Sequence, residues 1–192
     1  WHLDFMWGLQ GIERGARREG YQFHDEETTA DTAVVTGPVS GENHPFVDHF
    51  KFVNALSDEN HVARQTIPAP IQTFAEVTLD RCDGQTEILR AVYPTDEALA
   101  DAIAAAYRQV IADLYKAGCR NIQFDDCTWG MYCDTTFAAQ IGLKPDDIQK
   151  ICELGVRLNN AAIEDQPDDL AINTHVCRGN YHSTYAFEGS DD

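Results

Sequence analysis

Between residues 64 and 177, short apolar runs alternate with long amphipathic stretches, and this order constrains the fold more than any other feature of the chain. The clearest helix runs from Asp96 to Lys116. Thr95 is placed to cap it, Asp96 and Glu97 suit its positive end, and Leu99, Ile103, Tyr107, Val110, Ile111 and Leu114 form one apolar stripe. Gly118 is a natural stop. Pro145 opens a second helix reaching about Ala162, with Ile148, Ile151, Cys152 and Leu158 facing inward.

Strand-like runs flank these helices. Ile67-Pro68-Ala69-Pro70 carries two prolines that lack ladder donors, so it reads as a strand end handing over to a loop. Asn121 to Phe124 runs into Asp125-Asp126, and Leu170 to Asn173 runs into Thr174-His175. Strand, helix, strand, helix, strand calls for parallel pairing. Each polar cluster then falls at the carboxyl end of a strand, which suits a TIM (β/α)8 barrel and equally a doubly wound open sheet.

Elsewhere the patterning is weaker. Trp1 to Gly20 reads as a loop with a short helical turn, Thr32 to Thr36 as a strand ended by Gly37-Pro38, and Phe46 to Leu56 as a short amphipathic helix. Phe74 to Pro94 is rich in Asp, Arg, Gly and Thr and reads as a surface excursion.

Length and charge narrow the function. A 192-residue chain with 43% apolar residues can bury a substantial core. A formal net charge of -18 argues against a nucleic-acid partner, whose phosphates require Lys and Arg. No apolar run is long enough to cross a membrane, and no basic-then-apolar leader is seen, so a cytoplasmic protein with no membrane partner is expected. Six cysteines without a CxxC pair do not make a disulfide framework and are expected to be reduced.

The residues able to carry chemistry sit at the strand ends. His175 and Cys177 alternate with Val176, so an extended backbone sends both side chains to the same side, where imidazole and thiolate form a zinc-type pair. A buried Cys beside a hydrogen-bonded His satisfies the same spacing. Asp125 and Asp126 end an apolar strand, where two carboxylates either bind a substrate ammonium group, act as acid or base, or cap the following turn. Cys127 and Cys133 follow without a familiar metal spacing and read as packing residues. Trp1, Trp7 and Trp129 suit burial better than ligand stacking, and the other histidines are scattered. Arg14, Arg17 and Arg18 form the only basic cluster, read as a solvated patch.

Asn121-Ile-Gln-Phe-Asp-Asp126, following Lys-Ala-Gly-Cys119, together with Ile172-Asn-Thr-His-Val-Cys-Arg-Gly-Asn180, resembles the catalytic barrel of cobalamin-independent methionine synthase, above all its short single-barrel relatives. Ile67 to Pro70 and Trp1 to Phe5 fit those relatives too. The resemblance implies a TIM barrel in which Zn2+ binds the thiol of homocysteine and a methyl group passes to it from N5 of a methylfolate. It implies His175 and Cys177 as metal ligands, and Asp125 as the carboxylate for the amino group of homocysteine. Asp126 stands beside it as a second substrate-binding candidate, where the synthases carry Glu then Pro; here Cys127 replaces that Pro. The family completes its zinc site with a Glu and a Cys on later strands, so the chain is expected to form a single incomplete barrel domain over residues 1–192. Transfer to another thiol, of the coenzyme M type, and a binding role without turnover are the alternatives.

Overall fold

The computed structural model describes residues 1–79 and 82–189. In chain order the elements are α1 (His2–Gly8), β1 (Gln10–Ala16), β2 (Gln22–Phe23), β3 (Glu26–Glu27), β4 (Asp31–Ser40), α2 (Phe46–Asn54), β5 (Gln65–Pro68) and α3 (Pro70–Thr78). They continue with α4 (Gln85–Val92), α5 (Asp96–Lys116), β6 (Asn121–Asp126), α6 (Thr128–Cys133), α7 (Thr135–Gln140), α8 (Pro145–Ala162) and β7 (Ala171–Val176).

The helices around the sheet follow from their ends and stripes. Thr95 Oγ1 accepts the Ala98 N–H at 3.2 Å, a cap contributing about 1 kcal/mol. The predicted stripe of α5 is buried throughout, from Leu99 to Leu114. Pro145 occupies the first turn of α8 beside Asp146 and Asp147, and Asp147 accepts the Lys144 N–H. Leu154 and Leu158 carry α8 into the core, while Ile148, Ile151 and Cys152 pack against a smaller cluster around Met131 and Tyr132.

Strands β5, β6 and β7 form a parallel sheet in that order, as the alternation of elements requires. Pro68, Asp125 and His175 lie side by side in register. Ile67, Ile122 and Phe124 point into the core formed with the α5 stripe and α8. Burying each such side chain contributes roughly 1.5–3 kcal/mol. The fold is mixed α/β, and its three parallel strands do not close into a barrel among the described residues.

Three expectations are corrected. Residues 1–20 hold a two-turn helix and a strand where a loop with a short helical turn is expected, because β1 pairs antiparallel with β4 and α1 buries Phe5 and Met6. Strand β4 runs through Gly37-Pro38 to Ser40. The ladder there shifts register between Gln10 and Ile12, and such an irregularity accommodates a residue with no N–H to donate.

The third correction concerns Phe74 to Pro94, where residues 80 and 81 lie outside the described residues. Here α3 is buried from Ile71 to Val77 apart from Gln72, and α4 follows it. Polar residues in α3 misled the reading because their partners are remote in sequence. The Glu76 carboxylate is buried, accepting hydrogen bonds from the Tyr21 and Thr32 hydroxyls. It thereby ties the N-terminal ribbon to the helix layer.

Candidate metal and substrate site

Strand alternation sorts the polar residues onto two faces. On β6, Ile122, Phe124 and Asp126 are buried, whereas Asn121, Gln123 and Asp125 are half-buried on the opposite face. Because β6 and β7 pair in register, Gln123 and Asp125 share that face with Asn173 and His175. The chain leaves β7 at Val176, and the Cys177 N–H reaches the Asp126 carbonyl at 3.3 Å, so the strand geometry persists one residue further.

Asp125 sits within a polar ladder across the open face. Gln123 Nε2 donates to its Oδ1 at 2.8 Å, and Arg64 Nη1 donates to Gln123 Oε1 at 2.9 Å. The Asp125 backbone is fixed independently, its carbonyl accepting the Ala69 N–H at 2.8 Å. That bond joins the Ile67-Pro-Ala-Pro70 strand end to the same site.

Asp126 is turned the other way. Its carboxylate is fully buried, accepting the Thr128 N–H at 3.0 Å, the Thr128 hydroxyl, and Asn159 Nδ2 at 3.4 Å. Burial pushes its pKa up, and these hydrogen bonds pull it back. This occupation matches the turn-capping alternative for the acidic pair: Asp126 holds the start of α6 and links it to α8.

Cys177 is half-buried and lies 3.0 Å, sulfur to sulfur, from Cys127. The Cys127 hydrogen bond pulls the Cys177 thiol down to about 6 against the cost of burial, with the Gly179 N–H and the His175 ring assisting. The Cys127 thiol is pushed up, first because it donates to Cys177 and then because it is buried. Gly130 permits this approach of α6 to the end of β7. A Cβ there would stand 2.8 Å from the Cys177 carbonyl oxygen and 3.3 Å from the Arg178 Cα.

The His175 ring and the Cys177 sulfur are thus brought together. An imidazole beside a thiol of lowered pKa is a donor pair whose chemistry fits zinc, and a catalytic zinc takes about three such protein ligands. Among the described residues no group of three or more His, Cys, Asp and Glu is arranged to hold a metal ion.

Of the remaining candidates, Trp1 and Cys133 are exposed rather than packed, and others are engaged elsewhere. Arg14 pairs with Asp31, Arg18 pairs with Asp83, and the Arg17 guanidinium lies over the Tyr21 ring. Trp7 Nε1 donates to the Thr32 carbonyl at 3.0 Å. Sequence reasoning missed Gln123, Arg64 and Asn159 as supports of the acidic pair. Counting two residues back from Asp125 finds Gln123; the other two required the tertiary fold.

Fold and site together define a mixed α/β chain with a thiol, an imidazole and a carboxylate gathered at the carboxyl ends of adjacent parallel strands. Its relatives give that description a more particular setting. No family model matches the chain. It is 32% identical, over its whole length, to the uncharacterized proteins YxjH and YxjG of Bacillus subtilis, of which it covers 48% each. The chain therefore spans about half the length of the curated relatives it matches.

Among solved structures, it is similar to a Listeria monocytogenes protein described as a candidate vitamin-B12-independent methionine synthase. That likeness has a TM-score of 0.65 at 32% identity and covers 94% of this chain and 47% of the other. A B12-independent methionine synthase from Shewanella sp. W3-18-1, solved with selenomethionine, shares the fold with a TM-score of 0.64 at 21% identity, covering 93% of this chain and 43% of that one. Among the described residues no helix is long and apolar enough to cross a membrane.

Proposed function

We propose that this chain supplies part of the active site of a cobalamin-independent methionine-synthase-like methyltransferase, with homocysteine as acceptor and an N5-methylfolate as donor. The observation that carries this reading is the in-register pairing of Asp125 with His175, with Cys177 two residues further along the same face. It gathers a carboxylate, an imidazole and a thiol at the carboxyl end of two adjacent strands. The likeness to the Listeria and Shewanella proteins supports the same reading.

His175 and Cys177 would hold Zn2+, each contributing one donor atom from the end of β7. Zinc bound there would supply the means of deprotonating an acceptor thiol near neutral pH, since a free thiol with a pKa of about 8.5 is largely protonated. Asp125 has the charge and position to receive the ammonium group of an amino-acid thiol. Gln123, itself held by Arg64, fixes the orientation of that carboxylate. Holding the acceptor at both ends directs its sulfur, and such positioning is effective when reacting atoms come within about 3 to 3.5 Å. Asp126 serves by shaping the turn into α6 rather than by touching substrate.

The test is metal content. The reading expects the chain to bind zinc, Cys177→Ser to lose it with helix content unchanged by circular dichroism, and the cobalt-substituted protein to change its visible spectrum when homocysteine is added. Full zinc occupancy in Cys177→Ser, or no spectral response to homocysteine, would refute it. Methyl transfer assayed with homocysteine and with coenzyme M separates the two acceptors. With His175 and Cys177 as the two candidate donors, a second reading is that this stretch binds metal and thiol without turnover. Tight zinc binding without methyl transfer is its signature.

A further inference from the structure

Cys127 and Cys177 meet in a way that metal binding does not require. Asp126 and Val176 are the last register pair of β6 and β7, so Cys127 and Cys177 stand one step beyond it on neighbouring strands. Neighbouring strands lie about 4.8 Å apart, inside the roughly 4.4–6.8 Å span between Cα atoms that a disulfide needs. Their sulfurs are 3.0 Å apart, and closing to the S–S bond length of about 2.05 Å takes a movement of about 1 Å. The backbone on both sides is held. Cys127 precedes α6, whose start is capped by Asp126, and the Cys177 N–H is bonded to the Asp126 carbonyl. Both residues are half-buried, so a small oxidant can reach them, whereas Cys82 and Cys119 are buried.

We infer that Cys127 and Cys177 form a peroxide-sensitive thiol pair, whose conversion to a disulfide takes Cys177 out of the metal site. The chemistry balances in two steps. The Cys177 sulfur attacks one oxygen of hydrogen peroxide, the O–O bond breaks, and the hydroxide that leaves takes up the thiol proton as water. Cys177 is then a sulfenic acid. The Cys127 sulfur attacks the Cys177 sulfur, the S–O bond breaks, and the oxygen departs with the Cys127 proton as a second water. Two thiols are oxidised by two electrons, and one peroxide is reduced to two waters.

Disulfide formation stands on geometry alone; its consequence for metal rests on the function proposed above. The experiment separates the two. The reduced, chelator-treated chain, carrying Cys133→Ser so that trypsin leaves one cysteine on the peptide bearing Cys127, is treated with one equivalent of hydrogen peroxide, alkylated, digested and analysed by mass spectrometry. The expected product joins the peptides of Cys127 and Cys177 with loss of two hydrogens, and dithiothreitol reverses it. Cys127→Ser in the same background should give a dimedone-trapped sulfenic acid at Cys177 and no joined peptide.

Absence of the joined peptide in the parent, with native circular dichroism retained, would overturn the pairing. If the joined peptide forms and the oxidised chain no longer takes up zinc while the reduced chain does, the inference stands whole. If the joined peptide forms but oxidised and reduced chains bind zinc equally, the withdrawal from metal is overturned, and with it Cys177 as a ligand. The pairing itself would then survive.

Discussion

Tyr107→Phe removes one oxygen from behind the strand end that bears the site. Tyr107 is fully buried on α5, and burial pushes its phenol pKa up, so it acts as a neutral donor. Its hydroxyl donates to the Pro68 carbonyl at 3.0 Å and meets Thr73 Oγ1 at 2.7 Å. In the Phe variant the Thr73 hydroxyl can turn to the Ala69 carbonyl one helical turn back, which recovers part of its loss. The Pro68 carbonyl keeps no such option on α5. A buried acceptor deprived of its donor costs about 1–3 kcal/mol, so about 2 kcal/mol is expected. At roughly 2–4 °C per kcal/mol for a chain of this size, Tm should fall by about 4–8 °C. Urea titration followed by circular dichroism would measure it, with Thr73→Val alone and the double variant completing a cycle. The three groups share one network, so the double variant should cost less than the sum of the singles. A loss under about 0.5 kcal/mol, or strict additivity, would refute the account.

Three further outcomes are expected. His44 is buried beside Phe5, with Nε2 2.8 Å from the Phe5 carbonyl, and burial lowers its pKa from 6.5 to about 4. The unfolded chain binds this proton first, so about 3 kcal/mol of stability, fully present above pH 6.5, is lost as pH falls toward 4. Denaturant midpoints measured across that window should flatten in His44→Phe. Gly41→Ala would place a Cβ 2.1 Å from the Ala106 carbonyl oxygen and 2.9 Å from a Val110 methyl, destabilising the chain by about 1–3 kcal/mol; an unchanged melting temperature would show that β4 and α5 can separate freely. Asp125→Asn should weaken the homocysteine-dependent spectral change of the cobalt form with metal content unchanged. An equal response in both proteins would remove Asp125 from acceptor binding.

Helix α5 was legible to its ends because cap, dipole and stripe all agree on the same segment, and the same holds for Pro145 at the start of α8. The first twenty residues and α3 were not legible, since their partners lie far along the chain: Glu76 depends on Tyr21 and Thr32. At the site, alternation within one strand was enough to group His175 with Cys177 and to separate Asp125 from Asp126, whose side chains must leave opposite faces. Naming Asp126 beside Asp125 as a second substrate candidate left that alternation unused. The meeting of Cys127 with Cys177 depends on cross-strand register, for which a single sequence carries no local signal.

The two faces of the β5-β6-β7 sheet are also subject to different selection. Ile67, Ile122 and Phe124 hold the fold together, and any change there is felt as lost packing. Gln123, Asp125, Asn173 and His175 contribute little to that core, so substitutions among them are screened by chemistry and hardly at all by folding. A lineage can therefore change the chemistry of that face one residue at a time without first acquiring extra stability. In a saturation library, the signature would be a two-residue rhythm along β6, with tolerance in abundance and intolerance in activity falling on alternate positions.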